Sequence, residues 1–138
     1  MKKVFVDTDI LLDLLTGREP FHAPAAALFT LSEKGIIAVF TSSLIFSDLF
    51  HILKKSSTGA NTWKVLARLR HLVNILAVDE AAIDRALYSR FGTFENAVQN
   101  YTAEAGGMTH FITRNVKDFK ASTLKVMTAD DFLQLQGL

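Results

Sequence analysis

The chain has 138 residues, of which 49% are hydrophobic and 21% are charged, and this composition predicts one globular domain spanning residues 1–138. It contains no cysteine, which excludes disulfide frameworks, zinc–thiolate sites, iron–sulfur clusters and cysteine nucleophiles. The net charge is +1, so the total charge points to no class of partner. The uncharged stretch at 35–47 is shorter than the roughly 20 apolar residues of a membrane-spanning helix, and we expect a cytoplasmic protein.

Short apolar runs alternate with helical patterns along the chain. The apolar runs predict strands at Lys3–Val6, Ile36–Thr41, Val73–Val78, His110–Thr113 and Leu124–Met127. The predicted helices are one capped by Thr8 or Asp9, then Pro24–Glu33, Leu44–Lys55, Thr62–Leu72, Glu80–Arg90 after an Asp79 cap, one from a Thr93 cap through Ala105, and one after a Thr128 cap. This alternation predicts an α/β three-layer sandwich with a central, mostly parallel sheet.

In such a sheet the functional site lies beyond the carboxyl ends of the strands. Asp7 directly follows the first strand, and is either a functional carboxylate or a helix cap. We read Asp9 as a plain helix cap and Asp13 as a solvent-facing residue. Asp48 belongs to a polar stripe on the third helix, which either faces solvent or lines a cleft.

Two later segments add polar groups to the same edge. Asn96 lies in the first turn of a helix, next to Glu95, where acidic residues are common for structural reasons alone. Asn115 and Asp118 follow the fourth predicted strand. Acids and amides that converge at one sheet edge suit a hard cation such as Mg²⁺ or Mn²⁺, because both ions prefer oxygen ligands.

The positive charges are unevenly distributed. No acidic residue lies between Asp48 and Asp79, whereas that window contains several basic residues. Such a segment either attracts a polyanion or forms an ordinary solvated helix surface. Trp63 in the same window either packs within a helix or stacks on a base.

Four segments, in this order, resemble the PIN-domain family, which includes the ribonuclease toxins of bacterial toxin–antitoxin pairs. The segments are residues 4–13, residues 41–43 followed by Asp48, residues 94–99 and residues 112–119. The resemblance covers nearly the whole chain, and the last segment is its most specific part. Two positions depart from the family pattern, which usually has a glutamate in place of Asp48 and an acid in place of Asn96.

The resemblance implies a metal-dependent endoribonuclease that uses Mg²⁺ or Mn²⁺. The residues that it implies as metal ligands are Asp7, Asp48, Asn96 and Asp118. Asn115 would orient a ligand or a water molecule, and the RNA backbone would contact Arg114, Lys117, Lys54 and Lys55. The resemblance also implies a homodimer and, for toxin members, a small antitoxin partner. Since asparagine carries no charge, the Asn96 departure leaves the enzyme active, attenuated or inactive.

Two other functions fit the same residues. Asp7-Thr8-Asp9 after a strand also resembles the opening motif of haloacid-dehalogenase-type phosphatases, in which Asp7 would be the nucleophile and Asp9 the general acid/base. A PIN-like domain with Asn96 in the acid position could instead bind RNA or a protein without cutting. In a third interpretation, the acids at the strand ends are only helix caps.

Overall fold

The computed structural model describes residues 1–137. The strands are β1 (Lys2–Val6), β2 (Ile37–Ser42), β3 (Asn74–Leu76), β4 (His110–Ile112) and β5 (Lys125–Met127). The α-helices are α1 (Thr8–Thr16), α2 (His22–Glu33), α3 (Ser43–Lys54), α4 (Gly59–Arg70), α5 (Glu80–Leu87), α6 (Phe94–Ala105) and α7 (Ala129–Leu135). A short 3₁₀ helix, Val116–Phe119, follows β4.

The five strands form one sheet in the order β3-β2-β1-β4-β5. Every pair of neighbours is parallel, so the sheet is fully parallel where the sequence predicts a mostly parallel one. The central strand β1 pairs with β2 on one side and with β4 on the other, with Phe5 opposite both Phe40 and Phe111. This order places the carboxyl ends of β1 and β4 side by side, and hence Asp7 beside the segment that follows Ile112.

Both faces of the sheet are covered, which explains why the strands are continuous apolar runs rather than alternating ones. On one face, the ring of Phe111 stacks on Phe5 at 4.9 Å between centroids and contacts Phe119 of the 3₁₀ helix at 4.5 Å. On the other face, His110 packs edge-on against Phe132 of α7. Phe5, Phe111 and Phe132 are completely buried, so the core lies on both sides of the central strands.

Within residues 1–137, six helix starts are capped by the side chain of the preceding residue. Asp79, Thr93 and Thr128 cap α5, α6 and α7 as predicted. The first helix differs from the prediction: it begins at Thr8, and its cap is Asp7 rather than Thr8 or Asp9.

Helix boundaries differ from the predictions by a few residues. The largest differences are at α4, which begins at Gly59 instead of Thr62, and at α5, which ends at Leu87 instead of Arg90. Within residues 1–137, no helix has both the length and the apolar character needed to cross a membrane.

Candidate active site

Asp7 is a buried acidic residue at the carboxyl edge of the sheet. Its backbone N–H donates to the carbonyl of Ile112 at 3.0 Å, which ties the end of β1 to β4. The Oδ1 atom of Asp7 accepts from the N–H of Thr8 at 2.8 Å, and Oδ2 accepts from Oγ1 of Thr113 at 2.9 Å. Asp7 is only 9% exposed. It therefore caps α1 and is at the same time a buried carboxylate at the strand end.

Asp9 lies beside Asp7 and is not the cap that the sequence analysis assigns. Its Oδ2 atom accepts from the backbone N–H of Arg114 at 2.9 Å and lies 3.4 Å from Oγ1 of Thr113. Its Oδ1 atom is buried and has no hydrogen-bond partner among residues 1–137. Two carboxylates therefore meet at one threonine hydroxyl.

This proximity changes the acidity of both groups. Burial, followed by repulsion from the Asp9 carboxylate, raises the pKa of Asp7 to about 6. Burial is also the main cause that raises the pKa of Asp9 above its ordinary value. The negative charges of this pair are incompletely compensated by the protein.

The interpretation of Asp13 as solvent-facing is wrong, because Asp13 is only 1% exposed. The guanidinium of Arg114 binds it through two atoms, with Nε 2.9 Å from Oδ2 and Nη2 3.1 Å from Oδ1. The guanidinium also lies over the ring of Phe21, with Cζ of Arg114 4.1 Å from the ring centre. Arg114 is thus fixed by α1 and by the segment before α2, whereas the family resemblance implies that it contacts RNA.

A second group of predicted residues lies around a separate cavity of about 310 Å³, between the start of α6 and the 3₁₀ helix. Asn96, Asp118 and Lys117 all line it. Arg90 and Lys120, which the sequence analysis does not single out, line it as well. We call this space the Asn96–Asp118 cavity.

The remaining predicted residues are more dispersed. Asp48 is exposed on α3, and Lys54 and Lys55 lie at the end of the same helix. Asn115 lines a different cavity, of about 270 Å³, together with Asp13 and Arg114. None of these four residues lines the Asn96–Asp118 cavity.

The acids at the end of β1 have the chemistry that a divalent cation requires. Their donors are carboxylate oxygens, their charges repel each other, and one buried oxygen lacks a hydrogen-bond partner. The residues present therefore fit such an ion at Asp7 and Asp9. Within the described part of the chain, however, no three His, Asp or Glu side chains form a complete metal-binding group. Such an ion would keep several water ligands, as Mg²⁺ commonly does.

Sequence reasoning missed the roles of Thr113, Asp9 and Asp13. A signal for Thr113 existed: it follows a buried strand, as Asp7 does, and neighbouring parallel strands bring their ends together. Asp9 and Asp13 are four residues apart on one helix and therefore share a face. Their common partner, Arg114, is 101 residues away from Asp13, and no local pattern reveals that contact.

A family model described as "PIN domain" matches residues 3–117 of the chain. A comparison with curated protein sequences gives no match. Three solved structures illustrate the similarity of the fold. The DNA-bound VapBC from Salmonella typhimurium has a TM-score of 0.73 at 16% identity, over 94% of this chain and 99% of that one.

The other two structures have lower TM-scores and are also matched over most of their length. A toxin–antitoxin complex from Klebsiella pneumoniae has a TM-score of 0.65 at 23% identity, over 91% of this chain and 97% of that one. VapC20 from Mycobacterium tuberculosis, described as a sarcin–ricin loop cleaving toxin, has a TM-score of 0.64 at 17% identity, over 88% and 98%. These values establish a shared fold.

Proposed function

The chain belongs to the PIN-domain family, and from this premise we propose that it is a metal-dependent endoribonuclease of the toxin–antitoxin type. The observation that carries the proposal is the pair formed by buried Asp7 and half-buried Asp9 at the carboxyl edge of a parallel sheet. Both carboxylates lie where ligands bind in open α/β sheets. The similar fold of a toxin described as cleaving the sarcin–ricin loop supports RNA as the substrate.

A divalent ion at this edge would supply a more acidic bound water and would neutralise charge on the phosphodiester. Asp7 and Asp9 would hold it, with Asp48 as a further proposed ligand, whereas Asn96 and Asp118 line the separate cavity described above. The chain's own contribution is to orient the carboxylates before the ion arrives. Thr113 fixes one oxygen of Asp7, and the backbone N–H of Arg114 fixes one oxygen of Asp9.

Asp7 also has the protonation state that the reaction needs. With a pKa of about 6, it is mostly ionised at pH 7 and can act as a ligand. The Asn115 side chain lies exposed beside the Asp13–Arg114 pair, and we propose that it orients a ligand or a water molecule. Exposed Lys54, Lys55 and Lys117 are proposed contacts to the RNA backbone, which position the substrate without selecting its sequence.

Partner proteins are part of the same proposal. Several similar structures are toxin–antitoxin complexes, including those from Klebsiella pneumoniae and Salmonella typhimurium. We propose that this chain likewise has an antitoxin partner and forms a homodimer. The family match disfavours the phosphatase alternative. A binding module without catalysis remains the second candidate, because Asn96 lacks the charge that the family usually has at this position.

The test is cleavage of a mixed RNA pool by the purified protein with Mn²⁺, with Mg²⁺ and with EDTA. We expect cleavage with a metal ion, none with EDTA, and none in the Asp7→Asn variant. Because Asn96→Asp restores the carboxylate that the family usually has at this position, we expect it to cut faster than the native chain when the RNA is saturating.

Each outcome has a distinct meaning. Cleavage that persists in Asp7→Asn or in EDTA would contradict the proposed mechanism. Cleavage by Asn96→Asp alone would identify a disabled nuclease that now serves as a binding module. No cleavage by either form would remove the nuclease proposal and favour the binding module.

A further inference from the structure

The Asn96–Asp118 cavity has an unusual charge for a place where a metal ligand is expected. Arg90, Lys117 and Lys120 line it, and Asp118 is the one carboxylate in its lining. None of these four residues forms an ion pair with another residue of the described chain. Three cations without an ion-pair partner among the described residues thus share the lining with a single carboxylate.

Such a lining repels a dication and attracts an anion. Clefts lined by one sign of charge focus the electrostatic potential and raise the local concentration of oppositely charged groups. Lysine and arginine are also the side chains that proteins use most to hold phosphate, lysine as a point charge and arginine through its planar donors. The start of α6 faces the same cavity through Thr93 and Asn96, and adds the positive end of a twelve-residue helix.

Asn96 sets the size of the net positive charge in this lining. An acid at position 96 would place two carboxylates against three cations, whereas asparagine leaves one. The adjacent Glu95 does not compensate, because it does not line the cavity. The change from an acid to an amide therefore favours a phosphate over a metal ion at this corner of the site.

We propose that the Asn96–Asp118 cavity is an anion subsite that holds a backbone phosphate of the RNA substrate. The proposal deepens the proposed nuclease function and rests on it for the identity of the substrate. Arg90, Lys117 and Lys120 hold the phosphate, and Asn96 lines the cavity without repelling it. The carboxylates of Asp7 and Asp9 line no part of this cavity, so the subsite and the proposed ion site are formed by different residues.

Two substitutions of nearly equal size test the charge argument in opposite directions. Asn96→Asp adds a negative charge to the lining, and Asp118→Asn removes one. Neither change should disturb the fold. Position 96 lies in the first turn of α6, where acids are favourable, and its backbone N–H already donates to Thr93 Oγ1. Asp118 is exposed and takes part in no ion pair among residues 1–137.

The measurement is a titration with inorganic phosphate, followed by amide chemical shifts of the folded protein, with acetate as a carboxylate control. We expect shifts at residues 93–96 and 117–121, and an affinity order of Asp118→Asn above native above Asn96→Asp. Each step should be about threefold, as for exposed charge pairs. Acetate should bind more weakly. Mn²⁺ should follow the opposite order, tightest for Asn96→Asp.

A second arm identifies the source of the phosphate. A six-nucleotide RNA should displace inorganic phosphate from the same residues, whereas displacement failure would mean that the cavity takes only free phosphate, contrary to the proposal. Equal phosphate affinity in all three proteins, or shifts confined to other residues, would overturn the subsite. Because this experiment measures binding and not cleavage, it tests the subsite independently of the proposed nuclease activity. A negative result for one proposal leaves the other unaffected.

Discussion

Two regions at the carboxyl edge of the sheet differ in how completely their polar groups are satisfied. Around Asp7, nearly every charged atom has a fixed protein partner: Thr113 binds Asp7, and Arg114 binds Asp9 and the buried Asp13. Around the Asn96–Asp118 cavity, the charged side chains are exposed and unpaired within residues 1–137. The first region is preorganised by the fold, and the second is available to a ligand.

Under the proposed function, the two regions would have different tasks. A region that must hold an ion needs carboxylates whose orientation is set in advance, because reorganisation would weaken binding. A region that positions a polyanion needs only positive charge and access. Substitutions in the first region should therefore affect the stability of the fold, whereas those in the second should affect binding alone.

The largest effect should follow loss of Arg114. Arg114→Ala leaves Asp13 buried at 1% exposure without its bidentate partner. Breaking a buried ion pair from one side costs several kcal/mol. We expect a loss of about 3 kcal/mol in the free energy of unfolding, at the low end of that range, because Arg114 is itself partly exposed and Arg18 remains 3.9 Å from Asp13. Urea denaturation measures this loss.

The matched control is Lys117→Ala, three residues further along. Lys117 is exposed and forms no ion pair within the described chain, so its removal should change stability by less than about 0.5 kcal/mol. If Arg114→Ala does not fold, Arg114→Lys retains the charge and should show an intermediate loss. Equal effects at the two positions would refute the idea that only one region is fixed by the fold.

The sequence predicted the fold because its signals are local and agree with each other. Every strand was found from its apolar run, and the caps of α5, α6 and α7 from a single residue each. The continuous apolar strands also indicated that helices cover both faces.

The site was predicted less completely, because its contacts are distant in sequence. Asp7 was found from its place after β1. Asp13 was misread because its helix position alone does not reveal that Arg114, from the far end of the chain, covers it. The grouping of Asn96 with Asp118 depends on how α6 packs beside the 3₁₀ helix, which no periodicity encodes. Family resemblance supplied these positions, but not the charge that surrounds them.

An intermediate effect is expected at Asp7. Below pH 4 Asp7 is protonated in both the folded and the unfolded chain. Between pH 4 and about 6 the unfolded chain loses this proton first, because the folded pKa is raised to about 6. The Asp7 contribution therefore lowers stability as the pH rises through this window, and then becomes constant.

Asp7→Asn should remove this penalty. We expect the variant to be more stable than the native chain at pH 7 by about 2 kcal/mol, and the difference to vanish near pH 4. A pKa difference of two units corresponds to about 3 kcal/mol. Part of this gain in stability is lost, because an amide has one acceptor oxygen whereas Thr8 and Thr113 both donate to this side chain. Urea unfolding at pH 4, 5 and 7 measures it. A variant that is less stable at every pH would show that Asp7 acts mainly as a cap.

The smallest effect is expected at the Asn96–Asp118 cavity. If Lys117 contacts one RNA phosphate, Lys117→Ala should weaken RNA binding and reduce the slope of log affinity against log salt by about 0.7, the value for one single-strand phosphate. The control is Lys34→Ala, an exposed lysine that precedes β2 and thus lies toward the opposite edge of the sheet. This variant should keep the native slope. Fluorescence anisotropy with a labelled RNA measures both, in EDTA so that cleavage does not interfere. A slope that falls equally in both variants would mean that RNA affinity depends on the net charge of the protein alone. The difference between the region around Asp7 and the Asn96–Asp118 cavity would then have no consequence for RNA binding.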